Sequence, residues 1–228
     1  MPHNLVKRTA TLCSLLVYAA IATPTSTNAA DRAGGLKASS LGAGAEVTLG
    51  LSSDLNFRTG VNAFSYGAAT QKGGNPFKYD LNLLSIPVLL DWFPLSDGSG
   101  FRISAGVIIN KNKFTATAEP VDKYDIGGVQ YTADEVGTLS GKATFGELAP
   151  YVGIGWGNPF TTESRLSFSF DLGLAFQGEP AVTMAATGSA TAGPAFQKDL
   201  QREVDDVKSE IDTFKYYPVV SVGIAYRL

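Results

Sequence analysis

The stretch RLSFSFDLGLAFQG, residues 165–178, alternates with a period of two along its whole length. Leu166, Phe168, Phe170, Leu172, Leu174 and Phe176 fall on one face, and Arg165, Ser167, Ser169, Asp171, Gly173, Ala175 and Gln177 on the other. Such alternation is the signature of a strand with an apolar medium on one side only. A soluble β-sandwich turns the apolar face inward; a transmembrane barrel turns it to lipid and keeps a small, polar face inside. The opposite face, the connections and the chain ends decide between them.

The same pattern recurs. Residues 41–52 set Ala43, Ala45, Val47, Leu49 and Leu51 against Gly42, Gly44, Glu46, Thr48 and Gly50; residues 55–66, 101–113 and 144–157 alternate likewise. Residues 79–93 are strand-like, with a slip of phase at Leu83-Leu84 that predicts a bulge. A last strand over about 214–228 and a weak first one near 32–40 bring the total to eight. Pro87, Pro150 and Pro218 fall within strands and also predict local bulges.

The polar faces are built of Gly, Ala and Ser with isolated charges at Glu46, Arg58, Arg102, Glu147, Asp171 and Arg227. A sandwich surface would carry many long charged side chains. Small residues with a few pairable charges fit the interior of an eight-stranded barrel, which side chains just fill. The connections alternate too: 52–54, 94–100 and 158–164 are short, whereas 67–78, 116–143 and 179–213 are long. Short turns at one end and long loops at the other are the outer-membrane arrangement. Trp92, Phe101, Trp156 and Tyr226 sort to one end of the strands, and Tyr66, Tyr79, Phe114, Phe145, Phe176 and Tyr216 to the other, as two interfacial girdles would. The expected fold is an all-β, eight-stranded, antiparallel up-and-down transmembrane barrel.

Residues 1–30 read as a cleaved secretory signal peptide: Lys7 and Arg8, a short apolar run over 9–22, then small residues ending in Ala29-Ala30. The barrel then spans 31–228. His3 and Cys13 are the chain's single His and Cys, and both leave with the signal. That removes Ser-His and Cys-His catalysis, disulfides and the usual zinc ligands; no catalytic, metal or cofactor site is expected. Losing Lys7 and Arg8 from 18 basic residues leaves 16 against 21 acidic ones, and no basic patch argues for nucleic acid.

Residues 195–212, AFQKDLQREVDDVKSEID, interrupt the β pattern. Phe196, Leu200, Val204, Val207 and Ile211 recur at helical spacing, an amphipathic helix in the last long loop that caps the mouth or gates it. This loop and the 116–143 loop are net acidic, and acidic loops raise the local concentration of cations.

The chain ends in SVGIAYRL, 221–228, an alternating strand to its last residue. Ser221, Gly223, Tyr226 and Leu228 resemble the C-terminal assembly signal of bacterial outer-membrane barrels. With LAPYVGIGWGN (148–158), FDLGLAFQGEPAVTM (170–184) and KYYPVVSVGIAYRL (215–228), the C-terminal half resembles small outer-membrane barrels of the carbapenem-resistance-associated, CarO-like type, themselves similar in outline to OmpW-like barrels. That resemblance implies the outer membrane, with its lipid, lipopolysaccharide and assembly machinery as partners. It also implies passage of small basic or zwitterionic solutes such as ornithine and, less directly, carbapenems. No motif of that type fixes a substrate site. The readings are a narrow channel for such solutes and a non-conducting structural or envelope-interaction barrel with a plugged lumen. A lipid-modifying barrel enzyme is disfavoured by the loss of histidine.

Overall fold

The computed structural model describes residues 31–72, 75–95, 98–118, 121–161 and 163–228. The expected signal peptide, 1–30, lies outside the described residues. In chain order the elements are β1 (Arg32–Ser39), β2 (Gly42–Gly50), β3 (Leu55–Lys72), β4 (Asn75–Trp92), β5 (Phe101–Asn110), β6 (Lys113–Ala118), β7 (Lys123–Ile126), β8 (Val129–Thr132), α1 (Ala133–Val136), β9 (Ser140–Thr144), β10 (Leu148–Trp156), β11 (Leu166–Phe176), β12 (Ala181–Ala185), α2 (Pro194–Ile211) and β13 (Tyr216–Arg227).

Eight of these strands close a barrel. β1, β2, β3, β4 and β5 pair in sequence, then β5 with β10, β10 with β11, β11 with β13, and β13 back with β1, every pair antiparallel. Closure runs from Ala33↔Arg227 to Ser39↔Ser221, and the Leu228 N–H donates to the Arg32 carbonyl at 2.9 Å. The terminal strand therefore has no free edge. Both described ends lie at one rim, here called lower. Outward positions form an apolar belt that includes Leu36, Val152, Phe168, Leu172, Val222 and Ile224, with Phe168 71% exposed. No helix among the described residues is long and apolar enough to cross a membrane.

The wall rises unevenly above this ring. β3 and β4, 18 residues each, form one hairpin in constant register from Leu55↔Trp92 to Lys72↔Asn75. β6, β9 and β12 continue the upward courses of β5, β10 and β11 after short breaks, and add to β4 in the order β4-β6-β9-β12. Of the stretches expected as loops, 67–78 is largely part of this five-stranded upper leaf, whereas 116–143 gives it only the end of β6 and most of β9 and between them carries the separate β7–β8 hairpin and α1. β13, β1 and β2 do not follow it: β1 and β2 turn at Ser40-Leu41.

The bulge expected at Leu83-Leu84 does not occur. β4 keeps one register with β5 below and β6 above, from Trp92↔Ile103 to Phe77↔Ala118. Asp91, Leu89, Ser85, Leu83 and Leu81 all share the inward parity; the chemistry of that face changes with height, not its phase. The prolines cause no slip either. Pro87 lies at a gap in the β3–β4 ladder, Pro150 just above the first β10–β11 pair, and Pro218 above the end of β1. At Pro150 and Pro218 the missing N–H falls beyond the end of a ladder; at Pro87 it leaves the gap itself, where the Thr59 hydroxyl donates to the Pro87 carbonyl at 2.8 Å.

The upper girdle is also smaller than the sequence suggested. Phe176 and Tyr216 face outward with ring centroids 5.9 Å apart. Tyr66 and Phe114 are ladder partners of Leu81 and share its inward-parity face, as does Tyr79, stacked on Phe114 at 5.5 Å; directly paired residues point to the same side.

Above the leaf a second core forms from Ala118, Tyr124, Ile126, Val136, Leu139, Phe196 and Leu200. α2 starts at Pro194, whose fixed φ suits a first helical position. Its Phe196 and Leu200 are buried, while Val204 and Val207 are half-buried. The β7–β8 turn clamps onto it: Gly127 N–H donates to Glu203 at 3.1 Å, Arg202 donates to the Gly127 carbonyl at 2.5 Å, and the Tyr131 hydroxyl donates to Asp199 at 2.6 Å. That bond pushes the Tyr131 phenol above its ordinary range. The helix is a roof element over the leaf.

Candidate functional site

Alternation brings the side chains of seven strands to one level of the lumen. From β3, Arg58 is the hub. Its Nε and Nη2 donate to the two carboxylate oxygens of Asp91 on β4 at 2.8 and 3.0 Å, a bidentate pair. Its Nη1 and Nη2 donate to Asp171 on β11 at 3.0 and 3.2 Å. Glu46 on β2 approaches Nη1 at 3.6 Å and accepts from Lys37 on β1 at 2.9 Å. From β5, Arg102 donates to Asp171 at 2.6 Å and to the Gly157 carbonyl. Ser104 donates to Asp91 at 2.5 Å and Ser221 on β13 to Asp171 at 2.9 Å. Three cations thus meet three carboxylates, all buried.

Small inward residues make room for this layer. A Cβ at Gly155 would meet Asp171 Oδ1 at 2.6 Å and Arg102 Nε at 3.1 Å. Directly above, Leu41, Leu89, Ile108, Ala149, Tyr151, Ala175 and Val219 fill the bore as an apolar cluster backed by Tyr217. Gly173 is its counterpart to Gly155: a Cβ there would collide with the Tyr151 ring, which lies over it. Two cavities of about 20 and about 10 Å³ flank Arg58. A single water needs about 10–15 Å³ by this measure, so neither amounts to a path.

Of the six charges expected on the polar faces, Glu46, Arg58, Arg102 and Asp171 converge here, and Arg227 lies apart, donating to the Phe160 carbonyl at 3.5 Å. Glu147 does not join them. Its parity matches buried Ala149 and Tyr151, but it lies in the break between β9 and β10, its side chain 73% exposed and accepting from Lys111 at 2.8 Å. The break turns it out to the rim. Sequence reading missed Asp91 and Lys37. Asp91 was hidden by the supposed slip of phase in β4, and Lys37 by the weak pattern of β1. Asp91 two residues from Leu89 was the available signal, since both share parity with the inward Ser85.

The C-terminal residues divide between the faces. Ser221 is inward and buried, Gly223 is paired with Lys37 on one side and Ser169 on the other, and Tyr226 and Leu228 are exposed on the outer side and at the end. Of the acidic residues expected to line an entrance, Asp199 and Glu203 are engaged in holding the β7–β8 turn.

No family model and no curated protein matches the sequence. Solved structures do. The crystal structure of Acinetobacter baumannii CarO2 superposes with a TM-score of 0.58 at 18% identity, over 89% of this chain and 100% of that one. Acinetobacter baumannii CarO gives 0.54 at 16% identity, over 85% of this chain and 96% of that one. The fold is therefore shared with these barrels along nearly their whole length, in agreement with the resemblance in the C-terminal sequence.

Proposed function

We propose that this chain is a bacterial outer-membrane barrel with a closed lumen, a structural or envelope-interaction barrel rather than a standing pore. The single observation that carries this is the stacking of two filled layers across the bore: the Arg58 charge network and, above it, the Leu89–Ile108–Tyr151 plug. A hydrated ion or an amino acid would have to part both. Opening the lower layer by taking one partner from a buried pair costs about 3–5 kcal/mol.

The outer-membrane assignment draws on the outward apolar belt, the exclusion of irregular backbone from it, and the sharing of this fold with CarO and CarO2. A lipid-facing wall must satisfy every backbone group internally, and a closed ring of strands does so. Ser221, Gly223, Tyr226 and Leu228 serve on this reading as the assembly signal, and lipid, lipopolysaccharide and the assembly machinery are the partners. The reading as a channel for basic or zwitterionic solutes loses ground because the lumen charges meet one another and two of the acidic residues of α2, Asp199 and Glu203, hold the β7–β8 turn.

The test is conductance of the refolded protein in planar bilayers, with uptake of a basic amino acid into proteoliposomes beside it. We expect no unitary steps in the wild type and uptake no faster than in protein-free liposomes. The double variant Arg58→Ala, Tyr151→Ala should conduct, since it removes the centre of each layer. Steady ohmic conductance in the wild type would overturn the closed-lumen reading.

A further inference from the structure

Between the lumen plug and the roof lies a chamber of about 420 Å³, almost wholly apolar and partly open. It exists because β3, β4, β6 and β9 carry their inward face above the ring while β13, β1 and β2 stop short. Leu81, Leu83, Phe114 and Phe145 wall it, Tyr217 floors it, and Phe214 beyond the end of α2 covers it. Apolar pockets of this size with few convergent polar groups are the usual form of small-molecule sites.

The polar atoms facing the chamber can be accounted for one by one. The Tyr217 hydroxyl donates to the Ser40 carbonyl at 2.6 Å. Gln177 donates to the Phe214 carbonyl at 2.9 Å and accepts from Asn110 at 2.7 Å. Asn112 accepts from the Leu84 backbone N–H at 3.0 Å, which fixes its carboxamide oxygen towards Leu84 and leaves its NH₂ as the unspent donor. Lys113 touches the chamber, but it shares the outer face of the leaf with its ladder partner Asn82, so its ammonium is not aimed inside. The wall asks for no charge and offers one donor.

We propose that this chamber binds an uncharged, mainly apolar molecule carrying a single carbonyl acceptor, of the acyl-ester type, its carbonyl received by the Asn112 NH₂ and its chain laid against Leu81, Leu83, Phe114 and Phe145. The site is sealed from the lumen by Tyr217 and the plug beneath it, so it does not depend on whether the barrel conducts.

Titration calorimetry of the refolded protein in amphipol, free of detergent tails that would compete, tests this with methyl octanoate as the probe and octanoate as its charged counterpart. The wild type should bind methyl octanoate saturably, one to one, and octanoate at least tenfold more weakly. Ala143→Trp, which fills the chamber from a buried wall position, should weaken binding at least tenfold while the unboiled protein keeps its compact migration on gels; Leu81→Trp does the same from a more exposed position if the first fails to fold. Asn112→Asp keeps the acceptor for Leu84 but loses the donor, and should weaken methyl octanoate about two- to tenfold, the range of one net hydrogen bond. Repeating the titration in phospholipid nanodiscs separates two sources of the same chemistry: retained affinity assigns the site to a free ester, lost affinity to the chain of a membrane lipid already seated there. Absence of saturable binding in amphipol, or binding undiminished by both tryptophan variants, overturns the proposal, and neither result bears on conductance.

Discussion

At the height of Arg58 the inward faces of β1 to β5, β11 and β13 meet across a closed ring, and at the height of Leu81 the inward face of the same β4 has no opposite wall. The difference is one of circumference. Eight strands enclose a bore that side chains just fill, so the lower face could be polar provided each charge found a partner. Five strands enclose nothing by themselves. The upper face therefore became apolar and was covered by α2 and the β7–β8 turn, leaving an unfilled space between. One pair of long strands serves two regimes: polar and packed below, apolar and hollow above.

Removing Tyr226–Leu228 tests the closed half most severely. It deletes the lowest pairs with β1 and exposes backbone groups that in lipid cost several kcal/mol each. We expect loss of the outer-membrane population in fractionation, with no compact band on unboiled gels. Normal amounts of assembled protein would break the link between closure and the terminal strand.

The next effect lies in the charge layer. Asp171→Ala leaves Arg58 and Arg102 short of a carboxylate in the lumen, and should lower the unfolding free energy in urea by about 3–5 kcal/mol. Phe196→Ala should cost the roof a comparable amount, about 3–5 kcal/mol for a buried ring, yet leave the urea midpoint of the barrel in place. Limited proteolysis should show faster cleavage within 119–143 and 179–213 only. If both variants shifted the barrel midpoint equally, the two regions would be one cooperative unit.

The smallest effect concerns the clamp. The Tyr131 phenol is raised above its ordinary pKa of about 10 by its bond to Asp199. A folded-state pKa above the unfolded one means that the contribution is complete below pH 10 and is lost as the pH climbs through the raised value. Spectrophotometric titration should show one tyrosinate forming later in the wild type than in Asp199→Asn, and Tyr131→Phe should speed cleavage near 127–131 by a few-fold at neutral pH.

Much of this was legible in the sequence. Period-2 alternation gave the faces of β2, β3, β5 and β11, and with them the convergence of Glu46, Arg58, Arg102 and Asp171. It also paired the last strand with the first. What alternation could not convey was height. Tyr66, Tyr79 and Phe114 looked like a girdle because aromatic residues at strand ends usually face lipid; nothing in their spacing says that three neighbouring strands stop short. Glu147 was misplaced because parity carries no information through a break in the strand. Asp91 was missed for the converse reason: an apolar inward residue, Leu83, beside the outward Leu84 was taken for a change of phase.

The charge layer has an electrical consequence. A potential across a bilayer acts on each elementary charge with about 2.3 kcal/mol per 100 mV. Lys37, Arg58 and Arg102 carry three positive charges into the bore, and Glu46, Asp91 and Asp171 three negative ones, joined at one level. The field pulls them in opposite directions by equal amounts, so the layer has no gating charge. Current through the wild type should stay at baseline whatever the sign or size of the applied voltage, whereas Asp171→Asn leaves one uncancelled cation and should make any residual leak rectify.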